Sequence, residues 1–203
     1  MLHLYLGPMY AGKTTKLIHM YDSNKDLNKV IIDFEPVEYC YEGKVKNHNN
    51  IEMNAIKTKK LYDVLSIYKC KGNLALSHDI TNVYDQTLNE PEIYRLSDQI
   101  SQANSIYINE AQFFPDLYDF VLDQLKQNKN LYLYGLDGDF QQKKIGSLLD
   151  LIPYCDSICK LNSICERCNQ TAIFSKRIVD NMEQYLSDEN AYIPLCRNCF
   201  YIV

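Results

Sequence analysis

Residues 7–14 read Gly7-Pro8-Met9-Tyr10-Ala11-Gly12-Lys13-Thr14, with the spacing G-x-x-x-x-G-K-[ST]. Two glycines let the backbone curl so that successive N–H groups turn inward around phosphate oxygens. Lys13 sets a point charge against the β- and γ-phosphates of a nucleotide, and the Thr14 hydroxyl can ligate Mg²⁺. The stretch from Gly7 to Thr15 is thus the candidate phosphate-binding segment. A second acidic position follows far downstream. Asn109-Glu110 closes an apolar run, where a nucleotide-hydrolysing or phosphoryl-transferring fold places a carboxylate to hold Mg²⁺ or accept a proton. Aromatic residues follow in Glu110-Ala111-Gln112-Phe113-Phe114. Apolar surroundings favour proton uptake by a carboxylate, which suits a general base.

Four of the eight cysteines pair as Cys165-x-x-Cys168 and Cys196-x-x-Cys199. Two such knuckles supply four thiolates for a tetrahedral structural Zn²⁺. The remaining cysteines, at 40, 70, 155 and 159, read as small apolar core residues. Gly135-Leu136-Asp137-Gly138-Asp139-Phe140-Gln141 is a second glycine-bearing loop, in which Phe140 and Leu136 could wall a flat base and Asp139 could bond a hydroxyl.

Elements must hold these groups. His3–Leu6 is a short strand, and Thr15–Met20 opens a helix whose N-terminus faces the anion. Val30–Phe34, Ser105–Glu110 and Leu131–Leu136 read as further strands. Residues 61–68, 93–103 and 116–127 have helical spacing. Leu74–Leu76 reads as a short strand, 77–92 as a surface loop, and 40–60 shows little periodicity. Strands alternating with helices predict a parallel α/β sheet, a P-loop fold with its sites at the carboxyl ends of the strands. The expected division is a P-loop domain over 1–158 and a small zinc-ribbon-like domain over 159–203.

The chain has 203 residues, 46% of them hydrophobic, and a net charge of −5. That balance argues against a protein that coats nucleic acid. No run of about 18 apolar residues marks a membrane span, and no signal peptide is readable at the N-terminus. The expected location is cytoplasmic, in the host cell for a viral copy. Tyrosine is unusually common, with 17 copies.

The four motifs in this order resemble the type II thymidine kinase family of animals, bacteria and large DNA viruses. The resemblance spans roughly residues 2–54 and 93–200. It implies an ATP-binding α/β domain with Mg²⁺, a zinc-bearing domain with a lasso loop over the nucleoside, and assembly as a homotetramer or homodimer. It implies transfer of the ATP γ-phosphate to the 5′-hydroxyl of thymidine. Residue by residue, Lys13 and Thr14 resemble the phosphate and Mg²⁺ residues, with Asn109 at the family's metal-side aspartate. Glu110 resembles the base that takes the 5′-hydroxyl proton. Met9, Phe113, Leu136, Phe140 and Tyr192 resemble the lining of the thymine pocket, and Lys176-Arg177 matches the root of the lasso.

The departures are specific. The family's Asp-Glu pair is Asn109-Glu110, its Lys-Pro is Glu35-Pro36, its following Asp-x-Arg is replaced by Glu38-Tyr39-Cys40-Tyr41, and its Phe-Gln-Arg-Lys is Phe140-Gln141-Gln142-Lys143. The lasso's Gly-Gly is replaced near Ser187-Asp188-Glu189, and about two dozen extra residues lie around 57–90. Two family arginines are absent, leaving Lys143, Lys144 or Arg177 to compensate. Two further readings follow: a catalytically impaired relative, or a kinase for another deoxynucleoside. A nucleic-acid module built on the zinc knuckles is disfavoured by the acidic charge.

Overall fold

The computed structural model describes residues 1–37, 39–65, 98–186 and 188–202. Its strands are β1 (Leu2–Leu6), β2 (Lys29–Phe34), β3 (Tyr41–Lys46), β4 (Glu52–Thr58), β5 (Ser105–Asn109), β6 (Asn130–Gly135) and β7 (Ser157–Lys160). They form one sheet in the order β3-β4-β2-β5-β6-β1-β7, parallel throughout except for the antiparallel β3–β4 pair. The helices α1 (Lys13–Ser23) and α2 (Leu117–Lys126) pack on it. The expected parallel α/β fold is therefore present. The main sheet runs through Lys160, and two small sheets begin at Ser163: β8 (Ser163–Ile164) with β9 (Thr171–Ala172), and β10 (Phe174–Arg177) with β11 (Tyr192–Leu195). The five-residue helix α3 (Arg197–Tyr201) follows.

Alternation along the strands decides what each face of the sheet meets. Leu2, Leu4 and Leu6, with Ile106, Ile108, Leu131 and Leu133, face the larger core under α2, with Phe114, Phe120 and Val121. The opposite positions carry tyrosines. Tyr5, Tyr107 and Tyr134 are buried with Leu17 and Ile18 of α1. Tyr5 stacks on Tyr134 at 4.6 Å between ring centres and Tyr107 on Tyr132 at 4.5 Å. Such offset aromatic pairs stabilise beyond the area they bury. This layer holds five of the 17 tyrosines, Tyr5, Tyr21, Tyr107, Tyr132 and Tyr134.

Residues 40–60, without periodicity in the sequence, are the β3–β4 hairpin at the sheet edge. Of the expected helix at 61–68, residues Leu61–Leu65 form a 3₁₀ turn and the rest lies outside the described residues. Helix at 93–103 is present at 98–102, while the expected strand at 74–76 and loop at 77–92 lie outside the described residues. Cys40 is fully buried, but its sulfur is in a disulfide rather than a free thiol. Cys155 and Cys159 are only half-buried, so they are not the core residues expected. Among the described residues, no helix is long and apolar enough to cross a membrane.

Candidate active site

The loop from Gly7 to Gly12 joins β1 to α1 at the carboxyl edge of the sheet. Gly12 takes φ 74°, a left-handed conformation that glycine adopts without steric cost. Helix α1 starts there with no side-chain cap and no acidic residue in its first turn. Its leading N–H groups are thus left to a ligand, and its dipole favours an anion. Lys13 is buried and folds back, donating from Nζ to the Pro8 carbonyl at 2.8 Å. Burial pulls its ammonium below the usual lysine range, and the carboxylates of Glu110 and Asp137 pull it part of the way back. The lysine expected at the phosphates and the carboxylate expected as base therefore share one electrostatic neighbourhood.

Glu110 follows β5 directly with φ 50°, an uncommon backbone for a side-chain-bearing residue. The 3₁₀ turn Ala111–Phe113 comes next. Gln112, almost completely buried, donates from Nε2 to Glu110 Oε2 at 2.8 Å. Its Oε1 accepts from the Leu136 N–H at 3.0 Å. One amide thus ties the turn after β5 to the loop after β6. Gly135 permits this approach, because a Cβ there would overlap Gln112 Oε1 and Leu148. Gln112 was not among the residues singled out from the sequence. Its signal was its place two residues after the carboxylate, which says nothing of the tether.

Asn109 ends β5 and is paired in register with Asp33 on β2. Its Nδ2 donates to Asp33 Oδ1 at 2.9 Å, and its Oδ1 is buried without a protein donor. An unmet buried acceptor of this kind costs about 1–3 kcal/mol. Lys57 Nζ lies 2.6 Å from Asp33 Oδ2.

The expected base-pocket residues come from several elements. Leu136 is buried at the start of the loop after β6. The Phe113 ring lies 5.4 Å from that of Phe34 and 4.2 Å from that of Tyr185. Met9 N–H donates to Ser175 Oγ at 2.8 Å, joining the phosphate loop to β10. The Arg177 guanidinium lies 3.9 Å over the Phe140 ring and 5.1 Å from the Tyr192 ring centre. Its nitrogens donate to the carbonyls of Asn181, Glu183 and Gln184 and to the Tyr192 hydroxyl. Tyr192 Oη also accepts from Leu186 N–H at 2.9 Å. Arg177 and Tyr192 are both buried and organise the 178–191 loop.

Two expectations need correction here. Arg177 is committed to the loop's own carbonyls and does not replace a missing phosphate-facing arginine. Lys144 Nζ lies 2.7 Å from Asp150 Oδ2 in an ion pair at the surface. Asp139 does not wait for a ligand hydroxyl: its Oδ1 accepts from the Gln141 and Lys143 N–H groups, and its Oδ2 from Gln184 Nε2. It fixes its own turn and the base of the 178–191 loop.

The four knuckle cysteines converge. The ligand sulfurs of Cys165, Cys168, Cys196 and Cys199 all lie within 4.8 Å of one another, and Cys168 and Cys196 are 3.6 Å apart. Four thiolates about 2.3 Å from one zinc ion lie roughly 3.8 Å apart, so the set fits tetrahedral Zn²⁺. Burial pushes the Cys165 thiol up, but backbone N–H donors around it bring it down to about 6. The apolar cluster here is small: Ala172 and Leu195 with Cys165 and Cys196. A core of that size needs a covalent or metal staple.

The family described as "Thymidine kinase" matches residues 1–75 and 70–200. The chain belongs to that family. It is 29% identical to a thymidine kinase of Sheeppox virus (strain KS-1), over 99% of this chain and 97% of the relative. It is 28% identical to a thymidine kinase of Rabbit fibroma virus (strain Kasza), over 98% and 96%. It is 29% identical to thymidine kinase 1 of Dictyostelium discoideum, over 98% of this chain and 77% of the relative. The family match and the four-sulfur cluster agree with the motifs that carried the resemblance.

Arg177→Lys tests the loop assignment. A lysine has no planar fork for several carbonyls at once. Amide exchange across 178–186 should quicken and KM for the nucleoside should rise about tenfold, the loss of one or two charge-assisted bonds. The KM for ATP should stay put. Unchanged exchange would mean that the loop is held by other contacts.

Proposed function

We propose that the chain transfers the γ-phosphate of ATP to the 5′-hydroxyl of thymidine. The observation that carries this is the tethered carboxylate of Glu110, close enough to Lys13 to perturb it and anchored by Gln112. The triphosphate lies on the amides of residues 7–15. Mg²⁺ belongs beside Thr14 and Asn109 and screens the phosphate charge when bound. Glu110 takes the proton of the 5′-hydroxyl as its oxygen forms the new bond to the γ-phosphorus, and ADP leaves with the electrons of the broken bond. Positioning and charge supply the rate.

The zinc-bearing unit covers the nucleoside. The 178–191 loop is closed by Arg177 and Tyr192, while Met9, Phe113, Leu136 and Phe140 line the cleft for the base. In this reading ATP is held by the larger domain and the nucleoside between it and the zinc unit, in a cytoplasmic homotetramer or homodimer. A phosphoryl-transfer assay with thymidine, deoxyuridine, deoxycytidine and deoxyguanosine tests it. Thymidine should give the highest kcat/KM. Another preferred nucleoside would move the specificity and keep the chemistry.

One observation favours a second reading, a nucleotide-binding relative with impaired turnover. Arg177 and Lys144 are both engaged elsewhere, and charge on a transferring phosphoryl group is commonly met by arginine or lysine. ATP binding with no product from any nucleoside would select it.

Gln112 acts on the reaction through Glu110 as a positioning residue. Gln112→Met should lower kcat about tenfold with little change in KM, because a base held off its line loses efficiency in the transition state. Gln112→Glu sets a second carboxylate against the first and disfavours its ionisation. The acid limb of the kcat/KM profile should then move to higher pH. A merely structural role would leave that limb in place.

A further inference from the structure

The family's aspartate at the end of β5 is an asparagine here, which removes one negative charge from the metal side of the site. The charge is not absent from the neighbourhood. Asp33, one strand over on β2, is in register with Asn109 and is buried to 6% exposure, against 5% for Asn109. Asn109 Nδ2 donates to Asp33 Oδ1 at 2.9 Å. Lys57 Nζ lies between Asp33 Oδ2 at 2.6 Å and Glu35 Oε2 at 3.6 Å. Tyr41 Oη donates to Glu35 Oε1 at 2.7 Å. Among the described residues, this row across β4, β2 and β5 holds one ammonium and two carboxylates, a net negative charge.

The amide that links the row to the site is half satisfied. Asn109 Nδ2 is used on Asp33, which fixes which end of the amide is the oxygen. That oxygen, Oδ1, is buried and has no donor. A carbonyl oxygen held this way is oriented to accept from a metal-bound water.

We propose that Asp33 is the anionic partner of the nucleotide's Mg²⁺, acting through Asn109, so that a single carboxylate role is divided between two strands. This rests on the kinase reading above. Asp33 supplies the charge and orients the amide, and Asn109 Oδ1 accepts from water on the metal. Outer-shell carboxylates of this type typically change metal affinity by about 10- to 100-fold.

The test is titration of the full chain with Mn²⁺ in the presence of ADP, read by calorimetry and by the electron-spin resonance of free Mn²⁺. Asp33→Asn should weaken Mn²⁺ binding about tenfold or more, with ADP affinity in metal-free buffer unchanged. The exchange variant Asp33→Asn with Asn109→Asp should return Mn²⁺ affinity to within about threefold of the wild type, because the charge is back on the neighbouring strand. Wild-type Mn²⁺ affinity in Asp33→Asn overturns the assignment, as does an exchange variant no better than Asp33→Asn. A wild type that binds no ADP at all overturns the kinase reading instead.

Discussion

Glu110→Gln should reduce kcat by about two to four orders of magnitude, the usual contribution of a positioned general base. Glutamine keeps the side chain's length and can still meet Gln112, so the turn after β5 should survive. Binding of ATP should change little, because the phosphate contacts proposed above come from the residues 7–15 loop and the start of α1, which has no side-chain cap. The effect therefore falls on kcat rather than on either KM, the signature of an interaction made in the transition state. The measurement is steady-state kinetics with thymidine beside equilibrium binding of a non-hydrolysable ATP analogue. Turnover within a few-fold of the wild type would remove Glu110 from the base role.

Loss of the zinc site should be as severe by a different route. Cys165→Ser, or chelation of the wild type, should abolish thymidine phosphorylation to below about a hundredth of the starting rate. The reason is the size of the apolar cluster around Ala172 and Leu195, which cannot fold residues 163–202 unaided. Structural zinc contributes roughly 10–16 kcal/mol of apparent binding energy in small zinc units, all of it available only to the folded form. With the unit unfolded, Arg177 and Tyr192 no longer close the 178–191 loop, and Met9 loses its bond to Ser175. Displacements of about 1 Å at a reacting group are enough for a hundredfold loss. Limited proteolysis should cut within 163–202 while the main sheet resists, and bound zinc should fall from one ion per chain to none. Full activity in a metal-free preparation would show that the four sulfurs need no ion.

Much of this was legible because the chemistry sits where strong local patterns are. The phosphate loop has a fixed spacing, the knuckles have a fixed spacing, and β1, β5 and β6 are apolar runs bounded by polar residues. The β3–β4 hairpin was not legible. It lies at the edge of the sheet, and although Tyr41, Gly43 and Val45 alternate with the exposed Glu42, Lys44 and Lys46, only Val45 is buried, so the inward face carries too little apolar content to stand out. Asp33 was hidden for the opposite reason. It stands inside the apolar run Val30–Phe34, and its pairing with Asn109 and Lys57 depends on strand order, which period alone does not give. The bonds of Arg177 and Asp139 were hidden on the same ground. Arg177 ends β10 and Asp139 lies in the loop after β6, and only the path of residues 178–186 shows that its carbonyls and Gln184 engage them.

The stacked rings between the sheet and α1 have a spectroscopic consequence. The chain contains no tryptophan, so phenol chromophores alone dominate its near-ultraviolet signal. Tyr5 against Tyr134 and Tyr107 against Tyr132 are close and nearly parallel, at interplanar angles of 7° and 11°. Their fixed asymmetric surroundings give strong circular dichroism near 280 nm that collapses when side-chain packing is lost. The optical melt of this chain is thus a reporter of the main sheet and its packing on α1.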